Sequence, residues 1–383
     1  MKIAVIGVAQ TKFGEHWDKN IQDLLAQAQF NALADAGISP QDVDQIFTGN
    51  MCGESLSGQL HLGAIAADIL GIHVPSARIE GACASGSLAL RAGAMAIMSG
   101  MAEVVLVNGV EKLSDVSSNE IATAFMGASV HEVEHFVGAT FPGIMALIAR
   151  VYMDKFSLTR EHLAHVSVKN HKNGALNFDA HLRKEITLEE VLNASMVADP
   201  LSLMDCAPIS DGAASVVLAT PEFAQRRGLT SVSLIASAEA VDTVNIAARE
   251  SLLEFKSARL AAQKAYAMAG IKSSDVDVVE LHDAFSIAEI MLLEDLGFYE
   301  KGRAAAAIVV GETALNAKLS VNPSGGLKAK GHPVGATGVA QVVEMVRQLR
   351  GQCGKRQVLN AAIGMTHNMG GAGTTSVVHI FTK

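Results

Sequence analysis

Ala36-Gly37-Ile38-Ser39-Pro40-Gln41-Asp42-Val43-Asp44 is repeated in register by Ala269-Gly270-Ile271-Lys272-Ser273-Ser274-Asp275-Val276-Asp277, 233 positions downstream. Each copy follows an amphipathic helix, read over Gln22 to Asp35 and over Ala258 to Ala269, and precedes a short apolar strand. A second match sets Gly212-Ala213-Ala214-Ser215-Val216-Val217 against Gly373-Thr374-Thr375-Ser376-Val377-Val378 at an offset of 161. Two matches in the same order describe a duplicated chain, and the difference in offset, 72 residues, places an insertion in the first half between about Ser114 and Asp205. Alternating strand and helix signals predict an α/β protein with mixed sheets covered by helices on both faces. The insertion reads as a polar loop at 114–119, helices around Met145 to Met153 and Arg160 to Asn173, and a loop carrying His181, Arg183 and Lys184. The expected domains are 1–113 and 206–226 for the first half, 114–205 for the insertion and 227–383 for the second half.

The chain has 383 residues, 49% hydrophobic and 18% charged, enough material for two core-forming units. A net charge of −9 without a basic stripe argues against a nucleic-acid surface. No apolar run reaches the roughly 20 residues of a membrane span, and the first residues read as a buried strand, not a signal peptide. Cys52, Cys83, Cys206 and Cys353 lie far apart with no CxxC pair. That spacing disfavours disulfide scaffolds and zinc sites, so the expectations are a reducing cytoplasm and no metal.

Cys83 stands where Gly81-Ala82-Cys83-Ala84-Ser85-Gly86 leads into a long Ala/Leu/Met helix. Free N–H groups and the macrodipole at a helix start favour thiolate, and small neighbours would let a substrate approach the sulfur; a packed core thiol is the plainer alternative. The run Asn322-Pro323-Ser324-Gly325-Gly326 continues to Gly331-His332-Pro333-Val334-Gly335-Ala336-Thr337-Gly338 and opens the helix Val339 to Leu349. His332, between Gly and Pro, is held outside regular structure and can project into a cleft. A phosphate cradle is the other reading of such a loop, but the Lys-Ser/Thr ending of a P-loop is missing. By the duplication, this helix is the counterpart of the one Cys83 opens, which would bring thiol and imidazole face to face. The methionines, such as Met95, Met98 and Met101, read as core filling.

These segments together resemble the thiolase superfamily over essentially the whole chain. Leu281-His282-Asp283-Ala284-Phe285 and His367-Asn368-Met369-Gly370-Gly371 are similar to the motifs of its archaeal and sterol-carrier-type members. The resemblance implies duplicated βαβαβαββ halves in a five-layered α-β-α-β-α arrangement with an inserted loop domain. It further implies that Cys83 takes an acyl group from an acyl-CoA, that His332 accepts the thiol proton and then helps hold the second thioester oxygen, and that His282 sits beside that oxyanion site. The N–H groups of Cys83 and Gly370 would form a second oxyanion hole. Phe285 and Ala207 would line the pantetheine tunnel, with Phe141, Pro142 and Met145 at the pocket border, and Lys169, Lys172, Arg183 and Lys184 would meet the coenzyme's phosphates, a solvated helix face being the equal alternative for these four. Coenzyme A thioesters would be substrates, with no permanently bound cofactor. The implied partners are a second copy in a homodimer or tetramer, a small OB-fold zinc protein and a synthase.

The chain departs from the family where a second cysteine acts as acid/base. Ala284 and Asn368 occupy the two positions that carry it, leaving Cys206, His282 or His367 as substitutes, with a buried core thiol as the alternative reading of Cys206. The leading expectation is formation and cleavage of acetoacetyl-CoA or 3-ketoacyl-CoA through acyl-Cys83. A retro-aldol lyase, acyl transfer to a non-CoA acceptor, and a complex subunit with weakened chemistry are the alternatives.

Overall fold

The computed structural model describes residues 2–383. In the first half, β1 (Ile3–Gln10), β2 (Gln45–Gly49), β3 (Ser76–Ile79), β4 (Val104–Glu111) and β5 (Gly212–Ala219) lie in the order β1-β5-β4-β2-β3. In the second, β6 (Val232–Val241), β7 (Val278–Glu280), β8 (Ser320–Val321), β9 (Ile363–Gly370) and β10 (Thr375–Thr382) repeat that order as β6-β10-β9-β7-β8. In both halves the strands on the outer side of the order run parallel and those on the inner side antiparallel. A short antiparallel pairing, Ile3 opposite Leu234 and Val5 opposite Val232, joins the two half-sheets.

Helices α1 (Ile21–Ala36), α2 (Leu62–Leu70), α3 (Ser85–Met98), α4 (Phe141–Phe156), α5 (Arg160–Ala175), α6 (Lys256–Ala269), α7 (Ser286–Asp295) and α8 (Val334–Arg350) form the other layers. Strand alternation sets which face meets which layer. On β5, Val216 and Leu218 point inward to a core shared with Ala89 and Leu90 of α3 and Val339 and Val343 of α8, while Val217 and Ala219 point outward to Leu24, Ala28 and Ala32 of α1. Because α8 lies between both half-sheets, every residue except Arg347 and Arg350 is buried, and the helix is apolar on more than one face. The result is the five-layered α-β-α-β-α arrangement that the resemblance implied, with α3 and α8 as the middle layer.

The duplicated nonapeptide does the same three things in both halves. Gly37 and Gly270 end α1 and α6 in the left-handed region, at φ 67° and 71°, where an L side chain is strained. Asp42 and Asp275 then accept the backbone N–H of Ser39 and Lys272, tying a single turn. Asp44 accepts from the N–H groups of Glu103 and Val104, and Asp277 from those of Ala362 and Ile363, pinning the start of β4 and of β9.

Between β4 and β5 the inserted helices cross to the second half, where Ile144, Met145, Ile148 and Tyr152 of α4 share a core with Ala258 of α6 and Ile287 and Met291 of α7. Met95, Met98 and Met101 depart from expectation: they share a face, but that face is turned to solvent at the end of α3, and Met101 is 78% exposed. No helix among the described residues is long and apolar enough to cross a membrane.

Candidate active site

Cys83 lies in a single 3-10 turn, Ala82–Ala84, between β3 and α3. Ala82 has φ +54°, a left-handed conformation costing an L residue about 1 kcal/mol. Local hydrogen bonds hold it there: Ser85 Oγ donates to Ala82 O at 2.6 Å and accepts from Gly81 N at 3.0 Å, and Ala82 N donates to Glu80 Oε1 at 2.6 Å. The turn projects the half-buried thiol into a cavity of about 220 Å³.

His332 enters the same cavity from the loop before α8, and His282 from the loop after β7. Their rings meet edge to face with centroids 4.9 Å apart, and one donor atom from each of Cys83, His282 and His332 lies within 4.8 Å of the other two. The outer hydrogen bonds decide what each ring can do. Thr337 Oγ1 donates to Pro333 O at 3.0 Å, so it accepts from His332 Nδ1–H at 2.8 Å and leaves the Nε2 lone pair free as a base. Asn368 Nδ2 donates to His282 Nδ1 at 2.9 Å, which makes His282 Nε2–H a donor. One imidazole is set to take a proton and the other to give a hydrogen bond.

Burial governs the protonation states. Desolvation pushes the Cys83 thiol up to about 12; the N–H groups of Gly371 and of Cys83 itself face the sulfur and oppose the shift, while the carboxylate of Glu111 adds to it. The position before α3 therefore does not yield the preformed thiolate expected from sequence, because desolvation outweighs the N–H groups that face the sulfur. Desolvation also lowers His332 to about 3 and takes His282 well below the usual histidine value, the neighbouring His332 and His367 adding to the second shift. The resting pair is thiol and neutral imidazole. Neither group changes protonation between roughly pH 6 and 8, so the rate of Cys83 acylation by acetyl-CoA, followed by rapid quench and intact mass, is expected to be flat over that range. An acid limb near the ordinary histidine value would contradict it.

The cavity wall also carries Phe141, Met145, Cys206, Ala207, Ala284 and Phe285, while Asn368 stands behind His282. Gly370 is used for close packing, since a Cβ there would come within 2.5 Å of Gly81 O. The next residue, Gly371, lines the cavity and turns its N–H to the sulfur. His367 points the other way: its Nε2 is 3.3 Å from Ser376 Oγ, which meets Ser257 of α6, so it is withdrawn as a substitute base. Lys169 is withdrawn from phosphate binding, being held in an ion pair with the buried Glu289 at 2.8 Å and donating to Val321 O. Lys184 pairs with Glu190, and Arg183 lies over the Phe178 ring.

Sequence reading missed Glu111 and Thr337. Glu111, at the end of β4, accepts from Asn50 Nδ2 and from the N–H groups of Met51, Cys52 and Gly335, which binds the loop after β2 to the start of α8. Burial raises its carboxyl to about 7. Thr337 could have been found from its spacing, five residues after His332 on the first turn of α8.

A thiol and an imidazole at the middle layer of a duplicated five-layered fold, joined by a second imidazole of opposite tautomer from the loop after β7, define a covalent acyl-transfer site of thiolase type. The family descriptions "Thiolase, N-terminal domain" and "Thiolase C-terminal domain-like" match residues 3–222 and 238–383, and the chain belongs to the thiolase family. The acetyl-CoA acetyltransferase of Methanothermobacter thermautotrophicus is 48% identical over 382 residues, covering 100% of this chain and 99% of that protein. Human sterol carrier protein 2 is 35% identical, over 98% of this chain and 71% of its own length. Among solved structures, the Ltp2-ChsH2(DUF35) aldolase matches with a TM-score of 0.86 at 25% identity, over 100% of this chain and 97% of that one. Human mitochondrial 3-ketoacyl-CoA thiolase in complex with CoA shares the fold, with a TM-score of 0.79 at 19% identity, over 100% of this chain and 98% of its own.

Proposed function

We propose that this chain is an acyl-CoA C-acyltransferase that makes and cleaves acetoacetyl-CoA through an acetyl-Cys83 intermediate. The observation that carries the reading is the convergence of Cys83 with a base, His332 Nε2, and a donor, His282 Nε2–H, in one cavity. In the first half-reaction Cys83 Sγ attacks the thioester carbonyl while its proton passes to His332 Nε2, which returns it to the departing coenzyme thiol. N–H groups of the Cys83 turn and of the Gly370-Gly371 turn hold the oxyanion over the sulfur. In the second half-reaction His282 Nε2–H holds the thioester oxygen of the incoming acyl-CoA as its α-carbon becomes nucleophilic. Identity to acetyl-CoA acetyltransferases along the full chain supports acetyl as the transferred group. Retention of Cys83, which retro-aldol cleavage does not require, favours acyl transfer over the lyase reading. The partners in this reading are acyl-CoA and a further copy of the chain; the Ltp2-ChsH2(DUF35) aldolase supports a partner protein as well.

Incubation with acetyl-CoA should leave an acetyl group on Cys83, located by peptide mass spectrometry, and acetoacetyl-CoA with free coenzyme A should be thiolysed to acetyl-CoA. Absence of the adduct under conditions that give turnover would overturn the reading.

A further inference from the structure

Acyl transfer to carbon needs a group that removes and returns an α-proton, and neither expected position supplies one. Ala284 offers a methyl, and the Asn368 amide is committed to His282. Of the three other cysteines, Cys52 is buried with its N–H on Glu111 and Cys353 is buried beside Glu344, whereas Cys206 lines the cavity. Cys206 bridges Phe285 in antiparallel fashion, and Ala207 N donates to Ala284 O at 2.8 Å. The segment thus runs alongside Ala284 and presents a thiol on the wall where Ala284 has none. Asp283, next to Ala284, accepts from the N–H groups of Leu327 at 2.7 Å and Lys328 at 3.5 Å, which sets beside this segment a lysine that is 1% exposed and whose Nζ has no hydrogen-bond partner among the described residues. Its neighbours in charge are Asp205, Cys206, Asp283 and Glu289, with His171 on the far side. A buried ammonium left without hydrogen bonds is costly, and a desolvated lysine trades protons readily.

We propose that Cys206, with Lys328 as its positioning and charge-balancing partner, is the acid/base that moves the α-proton in the second half-reaction. This rests on the acyl-transfer reading above. Starting from the neutral Lys328 amine that burial favours, the Cys206 proton, now directed at Ser202 O at 3.5 Å, passes to Lys328 and leaves a thiolate beside an ammonium. The thiolate removes a proton from the α-carbon of the second acyl-CoA, whose enolate oxygen rests on His282 Nε2–H. The α-carbon then bonds to the acetyl carbon as the bond from that carbon to Cys83 Sγ breaks, and the proton held by the Cys206 and Lys328 pair returns to Cys83. Thiolysis runs the same transfers backward. Burial pushes the Cys206 thiol up to about 11, and Lys328 is the largest influence opposing that rise.

The two half-reactions separate the roles. Cys206→Ala is expected still to form acetyl-Cys83, with a change in that rate at least tenfold smaller than the change in exchange. Deuterium exchange into the methyl group of acetyl-CoA in heavy water, and thiolysis of acetoacetyl-CoA, should both fall by about 10²-fold or more. Lys328→Met should shift the pH profile of exchange upward, since Asp205, Asp283 and Glu289 would then face the thiol without a cation, and Lys328→Arg should restore part of the shift. Cys206→Ala exchanging and thiolysing within about threefold of wild type would overturn the proposal, as would an acetylated wild-type enzyme that does not exchange. Absence of any acetyl-Cys83 in the wild type would instead overturn the acyl-transfer reading.

Discussion

Cys83→Ala should form no acetyl adduct and lose about 10⁴-fold or more of its thiolysis rate, while its folded state changes by no more than about 1 kcal/mol. The loss is large because the covalent route disappears and no neighbouring group can replace a sulfur held in a purpose-built turn. His332→Ala should lose about 10²- to 10⁴-fold, the usual contribution of a positioned base. Here the base is needed at every pH of interest, since desolvation holds the thiol protonated. The double variant should be no slower than Cys83→Ala alone, because the imidazole acts only through the sulfur. Steady-state thiolysis and intact mass after exposure to acetyl-CoA measure all three. Additive losses in the double variant would show that His332 serves a step independent of acyl-Cys83.

The duplication was legible because its signal is local chemistry: a left-handed glycine, a one-turn aspartate and a strand-pinning aspartate recur at fixed spacing and do the same work twice. The pairing of Cys83 with His332 followed from that symmetry, since α3 and α8 are equivalent helices in the middle layer. What stayed hidden depends on burial and on partners distant in sequence. A helix start suggests thiolate, but only the three-dimensional surroundings of Cys83 show that desolvation outweighs the N–H groups that face the sulfur. Lys169 looks like a phosphate ligand until Glu289, 120 positions away, claims it. Asn368 is one residue from His367, yet strand alternation sends the first to His282 and the second to Ser376. Met95, Met98 and Met101 have core spacing, and only the position of α3's end shows that their face meets water.

The glycines beside Cys83 and His332 carry the second large effect. The small residues around Cys83 were read for substrate access, but the structure uses Gly86 for helix contact, and Gly335 and Gly109 serve the same packing. A Cβ on Gly86 would lie 2.7 Å from Gly335 O and 3.0 Å from Val339 N, and one on Gly335 would lie 2.6 Å from Asn50 Cα and 2.7 Å from Val110 O. Gly109 meets Gly335 O in the same way at 2.5 Å. These obstacles are backbone atoms, so no rotamer change relieves them. Helix propensity alone would make Gly86→Ala or Gly335→Ala stabilising by roughly 0.5–1 kcal/mol. Overpacking against fixed backbone costs about 3 kcal/mol or more, so each substitution should destabilise the protein. The same displacement pushes α3 away from α8 and carries Cys83 off His332, and a shift of about 1 Å can cost about 10²-fold in rate. Gly86→Ala is therefore expected to lower both the melting temperature and the acetylation rate of Cys83. Because Gly86 and Gly335 touch, the double variant should cost less than the sum of the two. A Gly86→Ala protein with an unchanged melting temperature and wild-type acetylation would show that the middle layer is not the rigid frame that brings thiol and imidazole together.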